Sequence, residues 1–79
     1  MLDVNKRIGK LTGYEGKVDI KKLEDFIKKS FTDARADMLI EYIKGRDVKK
    51  LSKEYHLASS RITNLFDLTL QRFYTEVLK

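Results

Sequence analysis

The chain has 79 residues, with 17 Lys or Arg against 12 Asp or Glu, and its formal net charge of +5 suits a polyanionic partner without requiring one. It is short enough for one domain, 1–79, with a modest core, and it holds no cysteine and no proline, which excludes a disulfide framework and a cysteine-bearing metal site. No apolar run approaches the roughly 20 residues of a membrane span, and the N-terminus lacks the apolar stretch of a secretion signal, so no membrane partner is expected and cytoplasmic location is the default.

Val4, Ile8 and Leu11 recur at helical spacing in residues 1–12 with Gly9 between them, and an interior Gly costs roughly 1 kcal/mol relative to Ala. The spacing predicts a weakly helical or flexible arm over residues 1–18, made basic by Lys6, Arg7 and Lys10, with a turn at Gly13-Tyr14-Glu15-Gly16. Such an arm either touches nucleic-acid backbone or is simply solvated. Asp19 is a good N-cap for the next helix, with Val18 and Leu23 placed as a hydrophobic staple across it. Ile20, Leu23, Phe26 and Ile27 are expected to form its buried stripe, and Lys28 and Lys29 complement its dipole, which explains them without a partner. Thr32 is placed to cap a further helix whose stripe is Ala34, Met38, Leu39, Tyr42 and Ile43, and Gly45 ends it. Residues 19–45 are thus two supporting helices.

From Asp47 to Phe73 the apolar positions are Val48, Leu51, Tyr55, Leu57, Ile62, Leu65 and Phe66. They fit two helices joined by a break of about three residues, the arrangement of a DNA-reading helix-turn-helix. That motif needs a small residue where the second helix crosses the first, and Ser52 stands there; His56 follows at the turn, then Leu57, with Ile62 and Leu65 as anchors of the second helix. A positive φ at the turn is easier for His than for a β-branched residue. With Ile62, Leu65, Phe66, Phe73 and Val77 inward, helical periodicity turns Ser59, Ser60, Arg61, Thr63, Asn64 and Asp67 outward.

Most of the outward set are short hydrogen-bonding side chains around one arginine. Arg pairs with guanine, Asn with adenine, and Ser or Thr with bases or phosphates, while the helix N-terminus favours phosphate. Any solvated helix also shows a polar face, and it is the place of these residues in the motif that favours a groove. Lys49, Lys50 and Lys53 lie on the first helix, which crosses the backbone in such motifs, and are candidate phosphate contacts. The last helix extends into the C-terminus. Leu68 and Leu78 sit off its stripe, so one or both are expected at the surface, where with Tyr74 they would serve to pair two copies over two half-sites.

Several features together carry a family likeness: Arg35, Met38, Leu39 and Tyr42 in the preceding helix, Gly45 before the motif, the run LSKEYHL, Arg61-Ile62, and Leu70-Gln71-Arg72-Phe73. By these, residues 31–73 resemble region four of bacterial sigma factors, which shares its helix-turn-helix with the output domains of many response regulators. The chain departs from that pattern at Ser59-Ser60, where the family usually has a charged pair, at Asn64, where Gln is frequent, and at His56, where a small residue is usual. The groove-facing positions carry over from the resemblance; the family's promoter sequence does not.

The expected fold is therefore all-α, a small bundle of four to five helices with the motif and its extended last helix over residues 47–79. The expected function is a sequence-specific transcription regulator or sigma-like promoter-recognition module whose partner is double-stranded DNA, read by the helix starting near Ser59. A complete sigma factor also needs a promoter-opening domain, for which 79 residues leave no room, so a repressor, an activator or one part of a split initiation factor is expected. Because region four also contacts RNA polymerase, the rival is a module that docks on polymerase or on a sigma factor with little DNA affinity. Neither an enzyme nor a metal or other cofactor is expected. His56 is the sole histidine, Gly9, Gly13 and Gly16 lack the Gly-Lys-Ser/Thr ending of a phosphate-cradling loop, and Glu24 and Asp25 belong to a solvated helix face.

Overall fold

The helices are started by side chains wherever an aspartate precedes them. In this computed structural model, which describes residues 2–79, Asp3 accepts from the Lys6 amide at the head of α1 (Val4–Thr12) and Asp19 from the Lys21 and Lys22 amides at the head of α2 (Ile20–Ser30). α3 (Asp33–Ile43) starts at Thr32, whose hydroxyl makes no capping bond, so the expected side-chain cap is absent there. Asp47 accepts from the Lys49 amide to open α4 (Val48–Tyr55), and α5 (Ser59–Phe73) begins behind Ala58 and runs on into a π-helical turn, Tyr74–Leu78. Each aspartate satisfies amides that the first turn of a helix leaves without a partner. The fold is all-α, with five α-helices and no strand among the described residues.

Of the two alternatives for residues 1–18, weakly helical or flexible, residues 4–12 take the helical one as α1, packed on the core; Met1 itself lies outside the described residues. Its far end is closed by Gly13 in the left-handed conformation at φ 80°, whose amide donates to the Gly9 carbonyl. Val4 and Ile8 are buried in the common core, and Leu11 packs partly buried against it. Burying two such side chains is worth about 1.5–3 kcal/mol each, which outweighs the roughly 1 kcal/mol that Gly9 costs. The segments on both sides of α1 are tied down as well: Asn5 Oδ1 accepts from the Val18 amide at 2.7 Å, and the Leu2 amide donates to the Ile43 carbonyl.

α5 organises the rest. With its π-turn it spans roughly 30 Å at 1.5 Å per residue, close to the 34 Å long axis of the molecule, and it packs against α1, α2 and α4. Its buried side is Ile62, Phe66, Thr69, Leu70 and Phe73. The Thr69 hydroxyl donates to the Leu65 carbonyl, so the one buried polar side chain is satisfied. Two rings meet α5 edge-on, Phe26 against Phe73 and Tyr42 against Phe66. Val18 and Leu23 are both buried on either side of Asp19, as the staple requires.

Three burial expectations change. Val77 is 46% exposed instead of inward, because the chain ends in i→i+5 bonding, with the Lys79 amide donating to the Tyr74 carbonyl. The wider turn carries the buried stripe from Phe73 to Leu78, which packs partly buried on the core. Ala34 is exposed, and Ala36 and Ile40 are buried in its place; α3 lies against both α2 and α4 and so covers a wider arc than a single stripe. Leu65 is half-buried, not fully covered.

Candidate functional site

The geometry of the site follows from one backbone residue. His56 ends α4 at φ 55° and ψ 42°, the one non-glycine residue with positive φ among those described, and this left-handed step turns the chain so that α5 begins three residues later. Ser52 locks it: the amides of His56 and Leu57 both donate to the Ser52 carbonyl, and the Ser52 hydroxyl donates to the Leu57 carbonyl. Ser52→Ala removes the hydroxyl and with it the bond to the Leu57 carbonyl. An L-residue pays roughly 1–2 kcal/mol in this region. His56 already bears that cost, so His56→Val adds only the further clash of a β-branched side chain and lowers the unfolding free energy by about 1 kcal/mol in a urea titration, while His56→Gly is neutral or mildly stabilising, since the relief of Cβ strain is offset by about 0.5–1 kcal/mol of chain entropy.

Beyond the turn, Ile62 is fully buried, which sets the roll of α5. Ser60, Arg61 and Asn64 are exposed, and Ser59 and Thr63 are half-buried on the flank of the same ridge. The Thr63 hydroxyl donates back to the Ser60 carbonyl, which leaves its lone pairs, rather than its proton, free toward solvent. Ser60, Arg61 and Asn64 line one shallow concavity with Leu65, Leu68 and Arg35. Arg35 comes from α3 and was not among the candidate contacts; no helical period relates it to α5, so only the tertiary fold could bring it there. Leu68 is 57% exposed in the middle of this polar surface.

The three candidate lysines of α4 are all exposed but do not share one setting. Lys49 and Lys53, four residues apart, lie on the flank next to Ser52 and the turn. Lys50 shares its flank with Glu54, which is ion-paired to Arg46. α4 is in turn fixed to α3 by a small polar network: Tyr55 donates its hydroxyl to Glu41 Oε2 at 2.8 Å, and Arg46 pairs with Glu41 Oε1 at 2.6 Å. The hydrogen bond to Glu41, reinforced by partial burial, pushes the Tyr55 phenol up to about 12. The same bond, opposed by desolvation and helped by Arg46, holds the Glu41 carboxyl below its usual range.

On the opposite flank Asp67, the only carboxylate of α5, is paired with Arg7 of α1 at 2.8 Å. This contact joins residues sixty apart in sequence, and no local pattern announces it. The hydrogen bond to Asp67 raises the already high Arg7 pKa, so the guanidinium stays charged throughout. Among the described residues no three His, Cys, Asp or Glu side chains gather in a way that would hold a metal ion, and no helix is long and apolar enough to cross a membrane. No protein-family model, no curated protein and no solved structure matches this chain.

Proposed function

We propose that this chain is a small DNA-binding module of transcription, a regulator or sigma-like promoter reader, in which residues 48–65 act as a helix-turn-helix and α5 enters the major groove. The observation that carries the reading is the left-handed turn at His56 locked by Ser52, with Ile62 buried behind it and Ser60, Arg61 and Asn64 left facing outward. A bend of this kind followed by a short polar ridge presents side chains whose donors and acceptors match base edges. The resemblance of residues 31–73 to sigma region four supports the same assignment.

In this reading Arg61 and Asn64 contact bases, Ser59 and Ser60 contact bases or phosphates near the helix N-terminus, Thr63, whose proton is engaged by the Ser60 carbonyl, accepts from base donors, and Lys49 and Lys53 meet the backbone. Lys50, beside Glu54, contributes less. The test is a fluorescence-anisotropy titration with a random-pool-selected duplex and a scrambled one at two salt concentrations. Duplex binding that weakens steeply with salt, with preference for the selected sequence, is the expected result. Binding that is absent, or indifferent to sequence and salt, removes the assignment.

One observation favours a second reading. Leu68 and Val77 expose 57% and 46% of their surface, more apolar area than a groove-reading helix needs, and a module that docks through α5 on RNA polymerase or a sigma factor would cover it. Two copies pairing through the same end of α5 would do so too. Co-purification with a polymerase subunit, in the absence of duplex affinity, distinguishes the docking module, and sedimentation of the free protein reads the pairing.

A further inference from the structure

α1 is closed at both ends and packed on α5, and the face it leaves uncovered is basic. Lys6 and Lys10 are exposed, sit four residues apart and so point the same way. They line one concavity with Leu2, Asp3 and Arg7. Asp3 accepts from the Lys6 amide as the helix cap and keeps its charge, but among the described residues neither lysine makes an ion pair, so the concavity stays net positive. Arg7, between them in sequence, reaches across to Asp67 at 2.8 Å. Asp67 follows Thr63 and Asn64 by one helical turn, so its charge lies at the edge of the ridge that the proposed reading puts against a polyanion. Left alone, that carboxylate would repel phosphate.

The geometry points to α1 as a second, sequence-independent contact with the phosphate backbone of the same duplex, Lys6 and Lys10 meeting phosphates while Arg7 neutralises Asp67 at the edge of the ridge. This rests on the DNA-binding reading above. The charge is complementary, and the surface is prefolded: Val4 and Ile8 are buried, so binding orders no segment and loses little chain entropy, unlike a flexible basic arm. Coulomb attraction from two unpaired lysines acts on any sequence alike, and it therefore adds affinity and salt dependence without adding base preference.

The experiment compares wild type, Lys6→Gln/Lys10→Gln, Arg7→Gln and Arg7→Gln/Asp67→Asn in anisotropy titrations with the selected and scrambled duplexes across a salt series. Lys6→Gln/Lys10→Gln, which leaves the buried side of α1 untouched, gives a plot of log affinity against log salt that is shallower by about 0.9 for each lost contact, with the ratio between the two duplexes unchanged. Arg7→Gln weakens both duplexes, and Arg7→Gln/Asp67→Asn recovers most of that loss because the bare carboxylate is gone. Wild-type slope in the lysine variant overturns the inference while leaving the reading of α5 intact; so does an Arg7→Gln loss that the added Asp67→Asn does not relieve. A wild-type protein that binds neither duplex instead overturns the DNA-binding reading itself.

Discussion

Phe66→Ala lowers the unfolding free energy by about 3–5 kcal/mol, the cost of emptying a large aromatic site in a packed core. Phe66 is fully buried on α5, and its ring meets Tyr42 of α3 edge-on with centroids 5.1 Å apart, so truncation removes both apolar burial and an aromatic pair. The residues one turn away on the same face of α5, Ile62 and Leu70, are themselves fully buried, which limits relaxation into the gap. A domain of this size has a total stability on the order of 4–12 kcal/mol, so the substitution removes a large share of it. Urea titration followed by circular dichroism reads the change as a lowered midpoint at constant slope. A loss under about 1 kcal/mol would mean that α5 is not the helix around which the core is built.

Arg61→Ala and Asn64→Ala produce the second-largest effect, and it appears in binding, not stability. Both side chains are exposed, and neither makes a hydrogen bond or ion pair with another side chain among the described residues, so their removal changes the unfolding free energy by no more than about 0.5 kcal/mol. If either makes a bidentate contact with a base edge, its loss costs about 1–3 kcal/mol at the preferred sequence and relaxes the preference at one position. Lys53→Ala serves as the control: it lowers affinity for every sequence alike, as removal of a phosphate contact should. Site selection from a random pool, repeated with each variant, gives the answer directly. An unchanged selected motif in both Arg61→Ala and Asn64→Ala would falsify α5 as the reading helix.

Much of the architecture was legible because it is written in local chemistry. Asp19 lies at the head of an apolar stripe and caps the helix there; capping and periodicity both act within a few residues, so sequence alone exposes them. His56 was readable as the turn for the same reason, since the residues that would clash or hydrogen-bond there are its immediate neighbours. Errors arose where a distant partner outvoted a local tendency. Gly9 weakens α1 in isolation, yet burial of Val4 and Ile8 against the rest of the core holds the helix. Val77 fits an ideal α-helical stripe, and the π-turn at the chain end moves it out to solvent. Ala34 and Ala36 both fit a helix of this composition, and which one is buried depends on α3 lying between α2 and α4.

By itself the amino-acid sequence determined the helical class, the capped helix start at Asp19, the bend at residue 56 and the polar character of the α5 ridge, because caps, periodicity and backbone preference are short-range forces encoded by adjacent residues. Only the tertiary structure decided what borders that ridge: Arg35 on one side and the Arg7 to Asp67 pair on the other. Charges separated by dozens of residues carry no sequence signature of their meeting. Their interaction exists only after apolar burial has fixed the helices in place, and it is this arrangement that sets the electrostatic field around α5.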